Sequence, residues 1–259
     1  MTNVRFYGDE PFTAVVVHGG PGAAGEMAPV ARGLSTNCGV LEPLQTEISV
    51  DNQVQELKSV IEYHAVPPIT LIGYSWGAWL SFILAAKHPH FVKKLVLVSS
   101  GPFESKYIHD LISTRLNRLD EPERIEAAEL LKELDNPESV NENALERLGE
   151  LLSKTDSYDP LPDEEGEIEV RQDIYRSVWP EADELRRSGE LLRYGELIKC
   201  PVAAIHGAYD PHPAEGVKEP LSRIIKDFEF ILLKNCGHKP WIERQAKDRF
   251  YEILRNQIE

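Results

Sequence analysis

The chain has 259 residues, 42 % of them hydrophobic and 27 % charged, with 17 glycines and 18 prolines. That fits one large globular core, or a core carrying an insertion, and excludes a multidomain array, collagen and low-complexity disorder. Its 28 basic and 43 acidic residues leave a net charge of −15, which repels polyphosphate backbones and anionic bilayers and sets nucleic acid aside as a partner.

In chain order, the opening MTNVRFYGDEP lacks an apolar stretch of signal-peptide length and carries Asp9 and Glu10, so no export signal is expected. Thr13–Val17 is a continuous β-branched run and predicts a buried strand; a weaker strand surrounds Val40 and Leu41. Val54, Leu57, Val60 and Ile61 fall on one helical face after a candidate cap at Asp51. The stretch from Ala65 to Ala86 carries no charge and is long enough to span a bilayer. Pro67, Pro68, Gly73, Ser75 and Gly77 divide it, and it reads as a strand at Ile69–Gly73 followed by a helix over Trp76–Lys87.

Lys94–Val98 predicts the next strand. Between Gly101 and Gly195 only helical patterns occur, with Ile125, Leu131 and Leu134 and then Ala144, Leu145, Leu148 and Leu152 as apolar faces. Strands resume at Pro201–Ile205 and Phe228–Leu233, and a last helix is expected over Trp241–Ile258. Strands alternating with helices imply a parallel sheet covered on both faces. Residues 1–103 and 196–259 are therefore expected to form the core and residues 104–195 an inserted helical cap. That insert holds 25 acids and 12 bases, whereas the rest of the chain is nearly balanced at 18 and 16. Solvated helix faces account for such charge, and one cap carboxylate reaching the active site is the functional alternative.

Gly73-Tyr74-Ser75-Trp76-Gly77 sits between a buried strand and a helix, the setting of a nucleophile elbow that lifts a serine above the C-terminal edge of a sheet. A serine needs a base and an orienting acid. His238 follows the last strand in NCGH, and Asp210 closes IHGAYD after the strand before it; Glu104, after the Lys94–Val98 strand, is the rival acid. His18-Gly19-Gly20-Pro21-Gly22 follows the first strong strand, and its backbone is suited to an oxyanion hole. Trp76 N–H and Gly20 N–H are the candidate donors, with Gly19 the fallback.

Two other patterns were weighed. Gly20-Pro-Gly22-Ala-Ala-Gly25, with Glu42 about twenty residues on, spells a dinucleotide-binding fingerprint, but Pro21 removes an N–H where phosphate needs one. His88-Pro89-His90 and Asp210-Pro211-His212-Pro213 resemble metal pairs but lack helical i, i+4 spacing and read as proline loops. No metal and no cofactor is expected. Trp76, Trp79 and Trp241 either line the pocket or pack, and Tyr175 and Trp179 are candidates to roof it.

HGGPG and GYSWG together resemble the prolyl iminopeptidase branch of the α/β-hydrolases, enzymes that remove N-terminal residues, especially proline, from peptides. The resemblance covers most of the chain in order and implies an α/β-hydrolase fold, mostly parallel, with helices on both faces and an inserted helical cap. It implies catalysis by Ser75, Asp210 and His238 and an oxyanion hole at Gly20 and Trp76; the candidate substrate contacts, read from the residues themselves, are Gly19, Trp76, Tyr175 and Trp179. The chain departs from the family in having only VRFYG before the HGGPG strand, which reduces an N-terminal hairpin. It also lacks the Glu-Asn-His-Tyr segment that reads a free amino terminus; Glu164, Glu165, Glu167, Glu181 and Glu184 are the cap acids available for that role.

The expected activity is therefore acyl-bond cleavage through an acyl-enzyme, with an aminopeptidase first, a carboxylesterase or thioesterase second, and a slow-turnover receptor or signalling hydrolase third. The partner is a small molecule or short peptide, not nucleic acid and not a membrane. Three widely spaced cysteines, Cys38, Cys200 and Cys236, without a C-x-x-C pair point to free thiols in a reducing cytoplasm. The sequence is silent on oligomeric state.

Overall fold

The computed structural model describes residues 3–134, 142–162 and 168–258. Seven strands form one sheet in the order β1 (Val4–Tyr7), β4 (Gly39–Pro43), β2 (Phe12–Val17), β5 (Ile69–Tyr74), β6 (Val92–Val98), β8 (Val202–Gly207) and β9 (Phe228–Leu233). All neighbours are parallel except β1, which runs antiparallel along β4.

The period of two along each strand divides the core into two layers. Val15, Val17, Leu71, Leu95, Leu97 and Ala204 face α2 (Val50–His64), α3 (Trp76–Lys87) and the helices beyond. Ala14, Val16, Ile72, Val96, Val98 and Ile205 face α1 (Ala28–Leu34) and α10 (Lys247–Ile258). Both faces being dry explains why these strands read as unbroken apolar runs. The uncharged stretch at 65–86 is accordingly a central strand and a fully buried helix. Among the described residues no helix is long and apolar enough to cross a membrane.

Two boundaries differ from expectation. The cap of α2 is Ser49, whose Oγ accepts the Asn52 N–H at 3.3 Å; Asp51 lies in the first turn and pairs with Lys87 at 2.6 Å. The last helix starts at Lys247, not Trp241, because Pro240–Ile242 is a single 3₁₀ turn and Glu243 is extended at φ −77°, ψ 116°.

Between β6 and β8 lie α4 (Leu111–Asn117), α5 (Glu121–Leu134), α6 (Glu142–Asp156), α7 (Gln172–Arg187) and α8 (Glu190–Arg193). Leu119, Ala127, Leu148 and Leu151 form a small core of their own, with Leu131 and Leu134 packed against it. Ile125 is 52 % exposed, because the stripe facing that core runs through 127, 131 and 134 and passes it by. The side chain of Leu145 lies outside the described residues.

The insert is not wholly helical. Strand β7 (Glu169–Val170) pairs antiparallel with β3 (Ala23–Ala24), and Arg171 N–H donates to Gly22 O at 2.8 Å, which ties the insert to the glycine loop. Much of the insert's charge is spent internally, as in Arg147 with Glu126 and Glu150, both at 2.7 Å, and Lys154 with Glu123 at 2.6 Å.

Candidate active site

Strand β5 ends at Tyr74 and α3 starts at Trp76, leaving Ser75 alone in the turn at φ 52°, ψ −114°. For a non-glycine residue this conformation costs on the order of 1–3 kcal/mol, and the surrounding packing holds it. The flanking glycines are required by close approach. A Cβ at Gly77 would strike the Val17 and His18 carbonyl oxygens, and one at Gly73 would strike Gly77 O and come within 2.6 Å of Ser81 Oγ. The Ser75 N–H donates to Val98 O at 3.0 Å, which fixes the turn to β6.

His238 Nε2 lies 3.2 Å from Ser75 Oγ, and His238 Nδ1 lies 2.7 Å from Asp210 Oδ2. Asp210 is the carboxylate at this histidine; Glu104 pairs instead with Arg223 at 2.8 Å and Lys106 at 3.3 Å. Burial by itself would push the Asp210 carboxyl up, but His238, His212 and His206 around it outweigh that and hold it well below the usual carboxylate range. For His238 burial works downward, and the charge and hydrogen bond of Asp210 prevail and raise it above the ordinary histidine value of 6.5.

Sequence reasoning did not foresee the second histidine on this carboxylate. The His212 backbone N–H and Nδ1 both lie 2.9 Å from Asp210 Oδ1. Burial holds His212 down at about 4, against the pull of Asp210, so it is neutral and its Nδ1 carries the proton it donates. The Asp-Pro-His-Pro pattern is the turn in which an Asp side chain caps the N–H two residues on, and that signal was present in the sequence.

Ligand atoms of Asp210, His212 and His238 lie within 4.8 Å of one another, close enough to hold a metal. Imidazole N–H groups already fill the Asp210 oxygens that a metal would need. Activity is therefore expected to survive EDTA, measured as turnover before and after chelation. Loss that added zinc restores would reassign this trio to metal binding.

His18 is fully buried, and burial lowers it from the ordinary histidine value despite the Gly19 carbonyl and nearby Glu26. Its Nε2 accepts the Gln45 N–H at 3.3 Å, so Nδ1 carries the proton and donates to Gly19 O at 2.8 Å. With Gly19 C=O turned toward His18, the trans peptide turns the Gly20 N–H to the opposite side. His18 thus orients the donor that Gly20 offers. The Trp76 N–H opens α3 and has no acceptor within its own helix. The dinucleotide pattern in this loop is taken up otherwise: Gly22 lies against Arg171 O, and Glu42 is buried and accepts the Tyr7 O–H at 2.7 Å.

Ser75, Trp76, Gly20 and His238 share a cavity of about 320 Å³. Tyr175 and Trp179 line it from α7, and Trp179 stacks on Trp79 with ring centres 6.0 Å apart. Trp79 also lines it; Trp241 packs on Tyr74 in the opposite core layer. Gly19 is not among the lining residues; a Cβ there would meet Glu26 Oε2 and the Tyr74 ring at 2.7 Å. A larger cleft of about 700 Å³ lies beside α1 and α10 and does not include Ser75. Unforeseen lining residues are Ile108, Leu111, Ile112, Arg115, Arg186 and His212, drawn from segments far apart in sequence.

Among the described residues no Asp or Glu lines this cavity. Glu181 accepts the Val50 N–H at 2.8 Å, completing the N-terminus of α2, and Glu184 pairs with Arg187 at 3.2 Å. Glu164, Glu165 and Glu167 lie outside the described residues.

The loop that carries His238 is held by Glu243. This fully buried carboxylate accepts the Gly237, Tyr158 and Asp159 N–H groups, each at 2.8 Å, while the His238 N–H donates to Asp156 O at 2.7 Å. Glu243→Ala strands one buried donor, the Gly237 N–H, at about 1–3 kcal/mol, and frees the part-buried Tyr158 and Asp159 N–H groups to water. It is expected to lower unfolding stability by about 1–3 kcal/mol and to loosen His238, read as a lower urea midpoint together with reduced kcat. An unchanged midpoint would show that water replaces the carboxylate.

A serine on a strained strand-to-helix turn, with a histidine and a carboxylate beside it on the loops after β9 and β8, is the arrangement of an α/β-hydrolase. A model of the family described as alpha/beta hydrolase fold matches residues 21–245, and the chain belongs to that family. It is 25 % identical to a proline iminopeptidase of Lactobacillus crispatus (strain ST1), over 95 % of this chain and 89 % of that one. It is also 25 % identical to a monoacylglycerol lipase of Homo sapiens, over 78 % of this chain and 59 % of the lipase. The crystal structure of VinJ superposes with a TM-score of 0.71 at 18 % identity, covering 98 % of this chain and 93 % of that one.

Proposed function

We propose that this protein is a serine acyl hydrolase. Ser75 Oγ attacks a substrate carbonyl as its proton passes to His238 Nε2, and Asp210 steadies the imidazolium. The Trp76 and Gly20 N–H groups receive the oxyanion. Its collapse expels the leaving group, which takes the proton from His238. Water, deprotonated by His238, then cleaves the acyl-serine and restores the hydroxyl. The observation that carries this reading is the run of contacts Ser75, His238, Asp210 at 3.2 and 2.7 Å beside a cavity that also includes both candidate donors.

The small cavity, with no carboxylate on its wall among the described residues, favours an ester or thioester of a compact acyl group over a substrate with a free ammonium. A prolyl iminopeptidase-like aminopeptidase is the second reading, supported by HGGPG and by the likeness to the Lactobacillus crispatus enzyme. Three free thiols suit a reducing compartment such as the cytoplasm.

A fluorophosphonate probe is expected to label Ser75 in the wild type and nothing in Ser75→Ala. Turnover of 4-nitrophenyl esters, acyl thioesters, and free and N-acetylated aminoacyl anilides then separates the readings. Faster cleavage of the free-amine anilide over its blocked form would establish the aminopeptidase. Labelling with negligible turnover of all substrates would favour a receptor or signalling role.

A further inference from the structure

Among the described residues, the charged side chains on the cavity wall at Ser75 are opposite in sign to the net charge of the chain. With a net charge of −15, the protein nevertheless places two guanidinium groups, Arg115 and Arg186, and no carboxylate on the cavity wall among the described residues. The two arginines are not equivalent. Arg115 is matched, with Nε and Nη2 on the two oxygens of Asp156 at 2.9 and 2.6 Å. Arg186, on the last turn of α7, is 7 % exposed, meets Asp183 through Nη2 alone, and has a buried Nε with no acceptor. Its burial outweighs Asp183 and lowers its pKa, a sign that one partner does not fully compensate the buried charge.

An unpaired donor on a buried cation is costly unless something completes it. Position indicates what does. The Arg186 guanidinium lies 5.4 Å from the Trp79 ring centre, and Trp79 is held by its own Nε1–H donating to Gly101 O at 3.0 Å. Trp79 and its stacked neighbour Trp179 line the same cavity as Ser75. The guanidinium therefore belongs to the wall against which the acyl group of a substrate rests. A planar carboxylate is the group that the guanidinium fork matches best.

Resting on the serine hydrolase reading, we propose that the substrate is acid-terminated, an acyl chain bearing a carboxylate that docks on Arg186 while its ester or thioester carbonyl meets Ser75. Hydrogen bonds to a charged partner are worth enough to set a preference of about 10- to 100-fold for the anion over its neutral analogue. The aminopeptidase reading requires the reverse preference, for a cationic substrate end.

The test compares kcat/KM for mono-4-nitrophenyl adipate with that for its methyl ester. Wild type is expected to favour the free acid by about 10-fold or more. Arg186→Lys, which keeps the charge and loses the fork, should reduce that ratio, and Arg186→Gln should bring it near unity. Should Arg186→Gln fail to fold, the wild-type ratio and the lysine variant carry the test. Binding is read separately by titrating adipate and neutral adipamide into Ser75→Ala and following the fluorescence of Trp79 and Trp179. Saturable quenching by adipate alone, abolished by adding Arg186→Gln, supports the site. Turnover of both esters at equal rates, or a preference for the methyl ester, would overturn the anion site and leave the hydrolase intact. Absence of both turnover and fluorophosphonate labelling would remove the hydrolase reading, and the adipate titration would then decide the anion site by itself.

Discussion

Ser75→Ala is expected to lower kcat for any hydrolysed substrate by about 10⁴- to 10⁶-fold while moving Tm by no more than about 2 °C. The separation of the two effects follows from the turn. Its geometry is imposed by the Gly73 and Gly77 contacts and by the Ser75 N–H to Val98 O bond, all of which alanine keeps. Only the hydroxyl is lost, and with it the bond to the acyl group. Residual catalysis from the remaining N–H donors and binding sets the floor. Active-site titration, kcat and a thermal melt on one preparation make the measurement. Near-wild-type turnover by folded variant would remove Ser75 from the mechanism.

Asp210→Asn is expected to cost about 10⁴-fold in kcat/KM and to move the acid limb of the pH profile. In the proposed mechanism His238 accepts the proton as neutral imidazole, and Asp210 raises it above 6.5. Wild-type kcat/KM should therefore rise with pH through a midpoint above that value. Without the carboxylate, burial dominates and disfavours the imidazolium, so the limb shifts to lower pH. An asparagine also turns an amide toward a carboxylate's two imidazole donors, which disturbs the tautomers of both His238 and His212. Glu104→Gln, whose carboxylate pairs with Arg223 and Lys106, is the control and is expected to leave both rate and profile unchanged. An unmoved limb in Asp210→Asn, with wild-type rate, would separate Asp210 from the base.

The strands were legible because a sheet covered on both faces needs unbroken apolar runs, and Thr13–Val17, Ile69–Gly73 and Lys94–Val98 supply them. The serine turn was legible because its glycines answer to backbone atoms that any chain with this turn brings close. Ser49 was overlooked as the cap of α2 in favour of Asp51, since both residue types cap and only Asp51's pairing with Lys87 distinguishes them. The last helix begins later than its amphipathic pattern indicates, at Lys247 rather than Trp241, for a related reason. Glu243 is needed by three N–H groups on two loops, and an amphipathic pattern carries no trace of that demand.

By itself the sequence determined the order of strands and helices, the tight turn at Ser75, and the residue types available to it, because these depend on local backbone sterics and on periodicity. Tertiary structure alone decided which groups meet. Whether His238 faces Asp210 or Glu104, that His212 shares the carboxylate, that His18 turns the Gly20 peptide, and that Arg115 and Arg186 line the cavity while Glu181 caps α2 all depend on how separate elements pack. The insert's excess of acid illustrates the difference: composition reports the sum of its charges, whereas the field at Ser75 depends on the few that packing leaves on the cavity wall, and among the described residues those are Arg115 and Arg186.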